Sequence, residues 1–284
     1  MSKIQITASE FQTMAKYILD VSGIALSVGK EYLIETRLAQ LVEELNVKSY
    51  MELHAKARND SSGVIEKKII DAISTNETYF FRDTAPFELL QHKLIPDLID
   101  KSLKNNSPLM KTGIRIWSSA SSTGQEIYSI AMILKELGID YNRYNIKLLA
   151  TDISDAAIAQ ASYGKYNRFE VTRGLSKPRL ERYFNPDGDY WRIKDEIRAM
   201  VTFRKMNLMK PFIGMGKFDM ILCRNVAIYF TAQDRKKLFE KIAESLDQDG
   251  VLIIGSTESL STDVSFFQAQ RYLNSTFYRL KPQS

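Results

Sequence analysis

The densest run of chemically useful residues lies between Trp117 and Ser129. An apolar strand candidate, 114–117, passes through six small residues, 118–123, turns at Gly124 and enters an amphipathic stretch. Small residues between a strand and a helix let a bulky ligand lie against the backbone, as nucleotides and nucleosides do at the first turn of a doubly wound sheet. The G-x-G-x-x-G spacing of dinucleotide sites is absent. Glu126 places a carboxylate where a pyrophosphate would have to sit, and that charge suits a cationic amino-acid tail instead.

Three further segments carry compatible chemistry. Leu148-Leu-Ala-Thr-Asp152 ends an apolar run on an acid, placed to accept hydrogen bonds from ribose hydroxyls. By itself an aspartate after a strand is more often a cap or turn residue. The stretch 218–230 is a buried strand ending at Cys223, followed by Arg224, Asn225 and Tyr229, at the end of the sheet where open α/β folds bind ligands. The stretch 74–83 holds Asn76, Thr78 and Arg82 around the aromatic cluster Tyr79-Phe80-Phe81. Aromatics in a linker can simply glue two domains together; the donors and acceptors among them are more than glue requires.

The elements that must position these residues follow from periodicity. Residues 1–75 read as a small all-helical domain, with capping boxes at Thr7-x-x-Glu10 and Ser49-x-x-Glu52 and apolar stripes including Phe11, Met14, Ile18, Ile34, Leu38, Leu41, Ile65 and Ile69. One helix is expected over 31–45. Residues 76–85 form a linker that contributes to the site. From 86 to 284 the pattern is α/β: a helix over 86–101 broken or kinked at Pro96, a loop over 102–113, then strands and helices in alternation, with 277–280 as a last antiparallel strand. Within this domain, residues of about 167–204 are expected to form a small inserted antiparallel sheet using 190–193 and 200–204, with a turn at Asn185-Pro-Asp-Gly188.

Composition limits the alternatives. One cysteine, Cys223, excludes an internal disulfide and a cysteine-held iron–sulfur cluster, and with only His54 and His92 a zinc site is not expected. A net charge of +5 is spread along the chain without an arginine-rich block, zinc-finger or RNP pattern, so no nucleic-acid partner is expected. No apolar run is long enough to span a bilayer and the first residues are polar, which points to a cytoplasmic protein without membrane insertion. Nothing demands more than a monomer.

Taken in order, the motifs Thr-Asn-x-Thr-x-Phe-Phe-Arg, Ser-Thr-Gly-x-Glu-x-Tyr-Ser, Ala-Thr-Asp-Ile and Cys-Arg-Asn-Val-x-Ile-Tyr-Phe resemble the CheR-type chemotaxis receptor methyltransferases. The resemblance covers nearly the whole chain. It implies a Rossmann-like class I methyltransferase sheet, with a small inserted antiparallel β-subdomain, preceded by the small helical domain. It implies S-adenosyl-L-methionine as cofactor, S-adenosyl-L-homocysteine as product, and esterification of glutamate carboxylates on the cytoplasmic helical region of chemoreceptors. It further implies roles for individual residues. Asn76, Thr78 and Arg82 contact the cofactor or the reaction centre, Glu126 binds the methionyl end, Asp152 holds the ribose, and Asn207 and Leu208 flank the adenine. Arg224 and Asn225 complete the pocket, and Arg82 and Tyr229 lie nearest the methyl transfer. Lys30 and Arg37 lie on the helix that, by resemblance, faces the receptor, although an ordinary solvated helix face explains them equally. The sequence departs from the family pattern in its serine-rich turn, in Ile127 where many members have proline, and in its short 185–188 loop. Members with a shorter loop are generally independent of a receptor tethering peptide, so independence is expected here. A non-catalytic module that binds the cofactor and docks on receptors is the alternative.

Overall fold

The computed structural model describes residues 4–104, 113–140, 143–260 and 264–282. Five helices open the chain: α1 (Ala8–Ser22), α2 (Glu31–Arg37), α3 (Ala39–Glu44), α4 (Tyr50–Asn59) and α5 (Val64–Ile73). Their stripes converge on one core that includes Phe11, Met14, Ile18, Ile34, Leu38, Leu41, Leu53 and Ile69. The capping box at Thr7 forms, and Glu10 does more than close it. Its second carboxylate oxygen accepts the N–H groups of Tyr50 and Met51, pinning α1 to the start of α4. Burial alone would raise this carboxyl, but the hydrogen bonds from Thr7, Met51 and Tyr50 outweigh it and hold the group below the usual glutamate range. The expected helix 31–45 is interrupted at Leu38, which has ψ near 0° and is not a glycine or proline that would have signalled the break.

Gly23 ends α1 in the left-handed region, and a Cβ there would lie 2.5 Å from Met209 Cγ in the second domain. The turn and the domain junction both require glycine.

The break at Pro96 takes a defined form. α6 (Ala85–Leu89) runs into a single π turn (Leu90–Leu94) and then into α7 (Ile95–Lys104), the Ile95 N–H reaching the Leu90 carbonyl. Proline has no N–H to offer the ladder, and the widened turn just before it absorbs that loss. The loop expected next falls largely on 105–112, outside the described residues.

The second domain continues β1 (Arg115–Ser119), α8 (Gln125–Glu136), β2 (Lys147–Asp152), α9 (Asp155–Tyr163), β3 (Lys165–Asn167), α10 (Arg168–Thr172), α11 (Lys177–Tyr183), β4 (Phe184–Asp187), β5 (Tyr190–Ile193), α12 (Asp195–Arg198), β6 (Val201–Lys205), β7 (Phe218–Cys223), α13 (Ala232–Ser245), β8 (Leu246–Ile254), β9 (Phe267–Tyr272) and β10 (Ser275–Leu280). Its main sheet has the order β6-β2-β1-β7-β8-β10-β9, parallel from β6 to β8 and antiparallel beyond. Alternate residues feed two cores. Ile116, Leu148, Ala150, Met220 and Leu222 face one side, and Trp117, Ile221, Cys223 and Leu252 the other. The final antiparallel strand was expected; its hairpin partner β9, which takes the edge, was not.

One sequence expectation is corrected. The run 200–204 does not join the small sheet, which has the order β3-β5-β4. Instead β6 pairs in parallel with β2, Val201 opposite Leu148. A strand that returns after a crossover lies parallel to its predecessor, and Val201 and Phe203 then pack on the main core.

Candidate functional site

The turn after β1 sits between the carboxyl ends of β2 and β7. Its backbone is left-handed at every second residue: φ is +52° at Ala120, +50° at Ser122 and +93° at Gly124. Two of these residues carry a Cβ, at about 1–2 kcal/mol each for an L-residue. Hydrogen bonds hold the conformation in place. The Ser121 N–H donates to the Thr151 carbonyl (2.9 Å) and the Tyr166 hydroxyl to the Thr123 carbonyl (2.7 Å). The Ser122 N–H donates to Asp152 Oδ2 (2.8 Å).

Asp152 is buried at the end of β2. Burial raises its pKa above the usual aspartate value, although N–H groups of Ser154 and Ser122 partly offset this. Each carboxylate oxygen accepts one of those N–H bonds and keeps a lone-pair direction for a further donor.

Arg224, 6% exposed at the end of β7, clamps three segments together. Nη1 donates to Glu126 (2.8 Å) at the start of α8; Nη2 donates to the Arg82 carbonyl (2.9 Å) and to Asp83 (2.8 Å) in the linker. Ser118 donates to the other oxygen of Glu126 (2.8 Å), so the negative charge read from the sequence is largely balanced within the protein. Next to Arg224, Asn225 adopts φ +57°, held by Glu258 Oε2, which accepts the N–H groups of both Asn225 and Gly255 at 2.7 Å.

The linker divides its aromatics. Phe80 packs edge-on against Tyr166 and Phe184, and Phe81 lies against Phe87 and under the Arg179 guanidinium; these two are glue. Tyr79 instead lies beside the guanidinium groups of Arg82 and Arg173.

Residues from each of these segments line one cavity of about 980 Å³ including its open mouth. Nine of the ten sequence-derived residues line it: Asn76, Thr78, Arg82, Glu126, Asp152, Leu208, Arg224, Asn225 and Tyr229. Asn207 is not among the lining residues. Its amide donates to the Val21 carbonyl (2.9 Å) and accepts the Met209 N–H (2.8 Å), so it ties the segment between β6 and β7 to the end of α1. Sequence reasoning missed Ser22 and Ile24, which bring the helical domain into the cavity wall. The Ala25 N–H donates to the Tyr229 carbonyl (2.8 Å) at the same junction. No motif marks these positions, because their placement depends on how the two domains meet.

Residues 76–273 match the SAM-binding domain of CheR methyltransferases, and residues 9–74 match the CheR all-alpha domain. The chain belongs to the CheR methyltransferase family. Among similar proteins, the chemotaxis protein methyltransferase Cher2 of Pseudomonas putida is 36% identical, covering 96% of this chain and 98% of its own. The chemotaxis protein methyltransferase of Vibrio parahaemolyticus is also 36% identical, covering 99% of this chain and all of its own. A solved TehB-like SAM-dependent methyltransferase from Corynebacterium glutamicum aligns over 67% of this chain and 98% of its own, at 11% identity and a TM-score of 0.37, a likeness too loose to weigh.

The cofactor of a CheR methyltransferase is S-adenosylmethionine, and the cavity fits it on several counts. Asp152 has acceptor capacity to spare for two hydroxyls. Ser121 Oγ and Arg224 Nε, on lining residues, are buried without a hydrogen-bond partner among the described residues. Such groups are costly unless a ligand or water satisfies them. Among the described residues no helix is long and apolar enough to cross a membrane.

Proposed function

We propose that this chain transfers the methyl group of S-adenosylmethionine to glutamate side-chain carboxylates of chemoreceptors, giving glutamate methyl esters in chemotaxis adaptation. The observation that carries the reading is the single cavity that gathers Arg82 and Tyr229 with Asp152, Glu126 and Asn76, drawn from the linker and from the carboxyl ends of three adjacent strands. In this reading Asp152 takes the ribose hydroxyls, the β1 turn lies against the nucleoside, Leu208 packs beside the adenine, and the Glu126–Arg224 pair receives the charged amino-acid end. Asn207 serves indirectly, by fixing the segment that carries Leu208.

When bound, S-adenosylmethionine supplies an electrophilic methyl on a positively charged sulfur. A glutamate carboxylate is already ionised at neutral pH and needs no general base. The new C–O bond forms as the S–C bond breaks, and the two opposite charges neutralise each other along the way. The protein should therefore orient the carboxylate without binding it tightly, and keep water out. Arg82 is tethered by its Nη1 to the Glu77 carbonyl (2.5 Å), leaving other guanidinium donors for one carboxylate oxygen; the Tyr229 hydroxyl orients the approach. A module that binds the cofactor without turnover would have no use for both groups in its cavity. The tight turn at Gly188 between β4 and β5 supports independence from a tethering peptide.

The test is methyl transfer from labelled S-adenosylmethionine to receptor-containing membranes, scored as base-labile methyl ester. Label that survives base, or no transfer by a protein that binds the donor, would overturn the proposal.

A further inference from the structure

Arg37 closes α2, the helix that the family resemblance turns towards the receptor, yet its guanidinium is turned inward. Nη1 donates to the Ile73 carbonyl, and Nη2 donates to Thr75 Oγ1 at 3.0 Å. The Ile73 carbonyl belongs to the last turn of α5, where carbonyls lack intrahelical donors and a cation complements the helix dipole. Beyond that point the chain leaves the helix and becomes a wall of the cavity: Ile73, Ser74, Thr75 and Asn76 all line it. Asn76 then meets the β1 turn, its Oδ1 accepting from Ser122 Oγ (3.4 Å), while the Ser122 N–H rests on Asp152. A continuous path of contacts thus runs from α2 through the linker to the buried acid of β2. The other bonds at the start of the linker, from the Ser74 N–H and hydroxyl to the Ile70 carbonyl, stay within α5 and cannot fix where the linker goes next.

We propose that Arg37 is a positioning residue of the donor site, setting the course of residues 74–78 by gripping the end of α5 and Thr75 together. This rests on the reading of the cavity as the S-adenosylmethionine site. The planar guanidinium suits the task, because it presents donors from two nitrogens in a fixed fork, where an ammonium offers its three donors from a single rotatable point. Its effect passes through Thr75 and Asn76; Arg37 itself does not touch the donor.

The experiment is calorimetric titration of S-adenosylmethionine into the wild-type chain and into Arg37→Ala, Arg37→Lys, Thr75→Val, the Arg37→Ala/Thr75→Val double variant and Asp152→Ala. Circular dichroism checks that each variant folds. Arg37→Ala is expected to weaken donor binding tenfold or more, Arg37→Lys to recover part of the loss, and Thr75→Val to lose a few-fold. The double variant should be no weaker than Arg37→Ala beyond about twofold, since both changes break one contact. Wild-type donor affinity in Arg37→Ala and Thr75→Val, with only the receptor KM raised, would overturn the proposal in favour of a docking residue. Normal donor binding by Asp152→Ala would instead sink the cavity reading itself, so the two failures are distinct.

Discussion

Replacing Arg224 by methionine keeps most of the side-chain volume and removes a buried cation that hydrogen-bonds both α8 and the linker. Three hydrogen bonds disappear, to Glu126, to Asp83 and to the Arg82 carbonyl, all between 2.8 and 2.9 Å. The Arg224 side chain is 2% exposed, Glu126 12% and Asp83 24%, so two carboxylates are left facing each other with little water to screen them. At roughly 1.5–3 kcal/mol for each hydrogen bond to a charged group, a simple sum would reach about 4–9 kcal/mol. The three share one guanidinium and do not add; breaking a buried pair by deleting one partner costs about 3–5 kcal/mol, and that is the loss expected here. It would consume a fifth or more of the stability of an ordinary domain, about 5–15 kcal/mol. The chain's two tryptophans, Trp117 and Trp191, both lie in the second domain, so fluorescence during urea unfolding follows that domain and not the helical one. The midpoint should fall at unchanged slope. Adding Glu126→Gln to Arg224→Met should restore about 1–3 kcal/mol relative to additivity, because the amide removes one of the two stranded charges and its repulsion with Asp83. A loss below about 1 kcal/mol, or strict additivity of the two changes, would refute the view that this pair is effectively dry.

Three other outcomes are expected. Tyr229→Phe should lower turnover by roughly tenfold to a hundredfold, the scale of one lost hydrogen bond to a charged group, while donor affinity by calorimetry stays within about twofold; lost affinity with unchanged turnover would contradict the role. Asp152 has a pKa raised by burial, so in the free protein its charge opposes folding above the ordinary aspartate pKa, and acidification relieves that penalty. Donor binding uses the ionised form, so affinity should fall with decreasing pH at a higher pH than for an exposed aspartate, and Asp152→Asn should flatten that profile; an unchanged profile would remove Asp152 from the site. Gly23→Ala should destabilise by about 1–3 kcal/mol in thermal unfolding, since φ is +82° and the new Cβ meets Met209. Met209→Ala should relieve part of it, and no relief would show that the junction contact is not limiting.

Much of this was legible in the sequence because it is local. The capping box at Thr7, the break near Pro96 and the strand–turn–helix at residues 114–137 each depend on neighbours within a few positions, and period-two and 3.6-residue patterns marked the buried faces. Residue chemistry and spacing marked eight of the nine predicted residues that the fold gathers into one cavity, and the family resemblance added Leu208. What stayed hidden depends on partners distant in the chain. The β6 run has the composition of either sheet, and only its crossover through α12 decides that it pairs with β2. The family resemblance sets Asn207 beside the adenine, yet it spends its amide on Val21, 186 residues away. Arg37 looked like a surface cation because helical spacing cannot show that the end of α5 passes beneath it. Glu126 looked like a free charge because Arg224 is 98 residues downstream.

The backbone of the β1 turn has a consequence for handedness. At Ala120, Ser122 and Gly124 the chain takes torsion signs natural to mirror-image residues, with ordinary residues between. What such a turn passes on is therefore a pattern of chirality along the backbone, and the glycine letters usually sought are only its easiest spelling. A D-alanine introduced at position 120 by chemical ligation would keep the methyl group and lift the penalty, which no genetically encoded L-residue with a side chain can do.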